Sequence, residues 1–136
     1  MDDFRQVIDL DQLTGDDTVT LARTAAEAIR GLNHATRHEN GLDQPSVAYD
    51  VIGALSQAAA RTGQALAQIT RYLDRALAGG RLGHDLGGDP APDVDAAAVF
   101  LSDAALSAAA LAGDLDAARQ QLARINGRPR SRKDQP

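Results

Sequence analysis

The sequence predicts an all-α protein, an antiparallel three-helix bundle with two long helices, one shorter helix and an N-terminal strap or short helix. Three observations carry that prediction. Apolar residues recur at threes and fours along three long segments. The alternation of β-branched residues that marks strands is nearly absent. Breaks containing glycine and proline separate the segments, around Gly41 to Pro45 and over residues 79–93. Composition agrees: 43% of the 136 residues are hydrophobic but only 3% are aromatic, so alanine carries much of the apolar fraction and suits closely packed helices.

Each element follows in order. At the start, "FRQVIDLDQL" offers Phe4, Val7, Ile8, Leu10 and Leu13 as an apolar strap or short helix. The first long helix is predicted from about Thr18 to Thr36, with Thr14, Asp16 and Asp17 as N-cap groups. At about 100° per residue, Leu21, Ala25, Ala28, Ile29 and Leu32 share one face, and Arg23, Glu27, Arg30, His34 and His38 share the opposite one. Gly41 with Leu42 stops this helix.

Asp43 is expected to cap the second helix, with Pro45 in its first turn. Ile52, Ala59, Leu66 and Leu73 form one heptad row, and Ala48, Leu55, Thr62, Ile69 and Ala76 form the other. Asp50, Gln57, Arg61, Gln64, Gln68, Arg71 and Arg75 line a narrow polar strip. A helix continuing to Ala78 spans about 50 Å. The stretch "GGRLGHDLGGDPAPD", residues 79–93, exceeds the roughly 2–8 residues usual between packed helices. Its glycines fit neither phosphate-binding pattern, GxxxxGK[ST] or GxGxxG, so it reads as a connector tacked down by Leu82 and Leu86.

The third helix is predicted from Asp93 or Val94 to Ile125, ended by Asn126, Gly127 and Pro129. Val94, Leu101, Ala108, Leu115 and Leu122 make one row, with Ala97, Ala104, Leu111, Ala118 and Ile125 beside it. On the far side, Val99, Leu106, Ala110 and Ala117 form a second stripe between Asp95 and Asp103. A helix apolar on two sides is central in a bundle or used by a partner. The first helix is too short to cover both long ones, which leaves the halves around Leu66 to Leu77 and Val94 to Leu106 for the N-terminal segment or a second subunit. Residues 1–126 therefore read as one helical domain, and residues 127–136, "GRPRSRKDQP", as a disordered basic tail.

Several chemistries find no support. The absence of cysteine removes thiolate ligands, thiol nucleophiles and disulfides. An acidic start and the lack of an apolar run of about 18 residues argue against a signal peptide and a membrane span, leaving the cytoplasm as the expected location. The net charge of -5 argues against a surface that coats nucleic acid. His34 and His38 can face one metal across a helical turn, but a site needs more ligands. Arg23, Arg30 and Arg37 surround the pair, and Ala35 stands where an HExxH motif needs glutamate. Two histidines in a last helical turn are explained by the C-terminal dipole, and with Glu27 they are otherwise a polar contact face for a protein. His84 and Asp85 look like an orienting pair with no Ser or Cys nucleophile beside it. The carboxylates sit on solvated faces or at helix starts. No catalytic residue, cofactor or metal ligand is nominated.

The stretch "IRGLNHATRHENGLDQPSVAYDVIGALSQAAARTGQALAQITRYLDRAL", residues 29–77, resembles small helical proteins of high-GC actinobacteria. Asn33, His34, Gly41, Leu42, Pro45 and Tyr49 lie in the matching segment, and the resemblance implies no activity or ligand. The secreted helical hairpins of type VII systems carry a Trp-x-Gly turn, which a chain without tryptophan cannot have.

The functional expectation is a non-catalytic interaction or scaffolding protein. It self-associates, most simply as a homodimer, or docks another helical protein through Val99, Leu106, Ala110 and Ala117. The alternative is an accessory factor for nucleic acid or a mobile element, with Arg128, Arg130, Arg132 and Lys133 contacting phosphate weakly.

Overall fold

The computed structural model describes residues 10–128. It contains three helices and, among the described residues, no strand: α1 (Gly15–Ala35), α2 (Pro45–Ala78) and α3 (Ala91–Leu122). The all-α class and its three helices are those the periodicity predicts. Contacts group the chain into two compact units, residues 1–43 and residues 44–136.

In the first unit, α1 begins at Gly15, earlier than the expected Thr18, because Thr14 completes a capping box. Its Oγ1 accepts a hydrogen bond from the Asp17 amide at 3.3 Å, and an Asp17 carboxylate oxygen accepts one from the Thr14 amide at 3.0 Å. Asp16 and Asp17 also place negative charge at the positive end of the helix dipole. After Ala35 the chain turns tightly enough that a Cβ on Gly41 would collide with the Ala35 carbonyl. Glycine is required there by close approach. No residue of α1 is fully buried: Leu21 and Leu32 are half-buried, and Ile29 is 45% exposed. Leu10 and Leu13 are exposed, while Phe4, Val7 and Ile8 of the expected strap lie outside the described residues.

The second unit is an antiparallel hairpin of α2 and α3. Contacts run in opposite directions along the two helices, from Arg119 on Tyr49, through Ala112 on Ser56, to Ala105 and Ala108 beside Gly63. Pro45, with its fixed φ and no N–H to satisfy, opens α2 at the first helical position. That makes Gln44 the N-cap in place of the expected Asp43, and no side chain caps this end. At the other end the Arg81 amide donates to the Ala76 carbonyl at 2.9 Å and the Gly80 amide to Leu77 at 3.1 Å. This closure needs the left-handed backbone that Gly80 adopts, with φ of 69°. Asp89 accepts a hydrogen bond from the Ala91 amide at 3.0 Å, so α3 starts at Ala91, ahead of the expected Asp93. It ends at Leu122, before the expected Ile125, as the chain tightens into a turn from Ala123 to Gln120.

The seam departs from one expectation. Ile52, Ala59, Leu66 and Leu73 face α3 as predicted, and of the second expected row Ala48 and Leu55 are half-buried and Ala76 is fully buried, joined by Tyr49, Ser56, Gly63, Thr70 and Leu77. Thr62 and Ile69, expected in the seam, are exposed. On α3 the row Val94, Leu101, Ala108, Leu115 and Leu122 is joined by Ala98, Ala105, Ala112 and Arg119. Ala104, Leu111, Ala118 and Ile125 are exposed instead. In the middle of α2 and along most of α3 the second row shifts by one residue, or about 100° around the helix. Its physical reason is size: small residues in the middle of both seams let the backbones approach, and that approach outweighs the greater hydrophobicity of the neighbouring row. Ser56 Oγ donates to the Ala112 carbonyl across the seam at 2.9 Å. A Cβ added to Gly63 would lie 3.6 Å from the Ala105 carbonyl oxygen. The only fully buried apolar residues among those described are Ala59 and Ala76.

Candidate interaction surface

A two-helix hairpin buries one stripe of each helix, and α3 carries more apolar surface than one stripe. Val99 is 60% exposed and Leu106 is 70% exposed, on the side of α3 turned away from α2. Asp103, Ala110, Gly113 and Ala117 continue the same side at spacings of four and three residues, all exposed. The structure thus brings together all four residues nominated for partner contact. Two further apolar side chains, Phe100 (73% exposed) and Leu111, border the stripe. Sequence periodicity left Phe100 unassigned and placed Leu111 in the seam. An alanine-rich helix gives apolar positions at every angle, so only the neighbour can decide which stripe is used.

Other candidate residues lie elsewhere. On α1, Glu27 accepts from Arg30 Nε at 3.0 Å, and the His34 and His38 rings meet edge-on with centroids 5.0 Å apart. Arg30, Gly31, Asn33, His34 and Arg37 line an open depression at this end of the helix. The result is a cationic face. Among the described residues no three His, Asp or Glu side chains converge as metal ligands would.

Of the two leucines expected to tack down the glycine connector, Leu82 is half-buried but Leu86 is 89% exposed, and the hold comes from a histidine instead. His84 Nε2 lies 2.7 Å from an Asp93 carboxylate oxygen, and its Nδ1 accepts a hydrogen bond from the Leu86 amide at 3.1 Å. With Nδ1 accepting, the neutral ring carries its hydrogen on Nε2 and donates to Asp93. The partner of His84 is therefore Asp93, brought back by the first turn of α3, in place of the adjacent Asp85. Both ring nitrogens are used to clasp the connector.

At the opposite end of the hairpin, Arg119 sits over the Tyr49 ring at 5.3 Å from the centroid, donates to the Tyr49 hydroxyl at 3.3 Å and pairs with Asp116 at 3.2 Å. Of the tail, Arg128 is exposed; Arg130, Arg132 and Lys133 lie outside the described residues. By length and composition α3 also qualifies as a helix able to cross a membrane. The sequence expectation missed this because alanine makes the run only mildly apolar at each position. No family model, no curated protein and no solved structure matches the chain.

Proposed function

We propose that this protein is a non-catalytic helical interaction module of the cytoplasm, which docks a second helix on the outer face of α3, from another copy or from another helical protein. One observation carries the reading: α3 is apolar on two opposite sides, α2 uses one, and Val99 and Leu106 remain 60% and 70% exposed on the other. Large apolar residues grouped on one exposed helix face mark an interaction site more often than scattered ones do. The commitment of both His84 nitrogens to the connector supports a structural role for that residue, and no cofactor is invoked.

A photo-crosslinking residue at Leu106, introduced into the protein in the cells that make it, tests this. Adducts should form from Leu106 in clear excess over the same probe at Arg71, on the polar strip of α2. Equal yields from the two positions would refute the reading.

A second reading, an accessory factor for nucleic acid or a mobile element, has the cationic face of α1 in its favour as well as the basic tail. Deleting residues 128–136 should then remove salt-sensitive DNA binding while leaving thermal stability nearly unchanged. DNA affinity that survives the deletion shifts the contact to Arg23, Arg30 and Arg37.

A further inference from the structure

The outer stripe of α3 is complementary to itself when reversed. Its seam positions, Val99, Asp103, Leu106, Ala110, Gly113 and Ala117, alternate spacings of four and three, the heptad pattern of a helix that packs along its length. Large residues occupy the N-terminal half and small ones the C-terminal half. Reversed about Ala108, Val99 falls opposite Ala117, Asp103 opposite Gly113 and Leu106 opposite Ala110, so each larger side chain meets a small one. A parallel arrangement instead sets Val99 on Val99 and Ala117 on Ala117, leaving one end crowded and the other empty. Charge follows the same reversal. Asp95 is exposed near the start of the face and Arg124 is exposed just past its end. Reversal brings Asp95 of one chain within about one helical turn of the Arg124 of the other.

We infer that the partner of this face is a second copy of the same chain, in an antiparallel two-fold dimer whose axis crosses the outer face of α3 at the level of Ala108 and whose layers are Val99 on Ala117, Asp103 on Gly113 and Leu106 on Ala110. This rests on the interaction reading above and names its partner. The interface is isologous, the form a two-fold dimer requires. Ala110, Gly113 and Ala117 let the two α3 helices approach closely. Asp103 is the one seam position that opposes association, because it points into the interface and, in this register, lies near Asp114 of the second copy as well as Gly113. Such a polar residue weakens a helical dimer and limits the registers open to it.

Three measurements on the purified full chain test the proposal. Sedimentation velocity should show a dimer at tens of micromolar, and Val99→Lys with Leu106→Lys should return it to monomer with unchanged helical circular dichroism. Asp103→Ala should tighten the dimer by about tenfold or more, since it removes a carboxylate desolvated on association. For the register, a Val99→Cys chain mixed with an Ala117→Cys chain and treated with a short bismaleimide should give the mixed conjugate in preference to either self-conjugate. The native chain has no cysteine to interfere.

Predominant Val99→Cys self-conjugates would mean a parallel pair and overturn the proposed geometry. Loss of helix in the double lysine variant would show that the face is covered within the chain, and that also overturns it. Flotation of a monomeric wild type with phosphatidylcholine and phosphatidylglycerol vesicles, lost in the double lysine variant, would assign the face to a membrane. A wild type monomeric up to about 100 μM, with crosslinks from Leu106 to a different protein in cells, defeats the self-pairing and leaves the interaction reading standing. Absence of both dimer and crosslinks defeats the two together.

Discussion

Replacing Gly63 by alanine should stabilise the hairpin, and the geometry gives the size of the effect. Gly63 lies inside α2, where glycine is about 1 kcal/mol less favourable than alanine because it loses more backbone freedom on ordering. A Cβ built there meets the Ala105 carbonyl oxygen at 3.6 Å and the Ala108 Cβ at 3.9 Å, ordinary contact distances that need no movement. The new methyl group is partly withdrawn from water and adds a fraction of the roughly 0.8 kcal/mol of a fully buried one. The expected gain is about 1–1.5 kcal/mol. Gly53 provides the contrast: a Cβ there comes within 3.1 Å of Arg119 Cδ and pushes the guanidinium off Tyr49. Loss of that cation–π contact costs about 0.5–1 kcal/mol and offsets the propensity gain, so Gly53→Ala should be close to neutral. Urea unfolding followed by circular dichroism measures both variants, and Gly63→Ala should also raise Tm by about 4–8 °C for each kcal/mol gained. A Gly63→Ala variant destabilised by more than about 0.5 kcal/mol would show that α2 and α3 approach more closely than described.

Two further outcomes are expected. Thr14→Ala breaks the capping box and should cost α1 about 1 kcal/mol, read as faster hydrogen exchange in the amides after Asp17, whereas Thr14→Ser should retain protection; unchanged exchange in Thr14→Ala would show that the cap contributes nothing. Calorimetric titration of the tag-free chain with zinc should give no stoichiometric event, because Arg30 and Arg37 flank the His34 and His38 rings and, among the described residues, no third ligand converges on them. A sub-micromolar event lost in His34→Ala would contradict this.

The candidate surface was legible in part. Val99, Leu106, Ala110 and Ala117 stand out because seven-residue spacing on a helix is read directly from order along the chain, and the structure leaves all four exposed. Phe100 and Leu111 escaped because their exposure depends on which stripe α2 occupies. The His84–Asp93 clasp escaped because it joins residues nine apart across a reversal, and the adjacent Asp85 offered a nearer but mistaken partner.

By itself the sequence determined the all-α class, the three helices and their approximate limits, since periodicity, caps and breakers act over a few residues and are written locally. The stop at Gly41, Pro45 in the first turn of α2 and the unpaired second stripe on α3 are of this kind. Only the tertiary structure decided the seam. On each helix two adjacent rows can face the partner, and in the middle of the hairpin the place fell to Ser56 and Gly63 against Ala105, Ala108 and Ala112. Hydrophobicity along one helix cannot rank those rows, because how closely two backbones can approach depends on the small residues that both helices present at the same level.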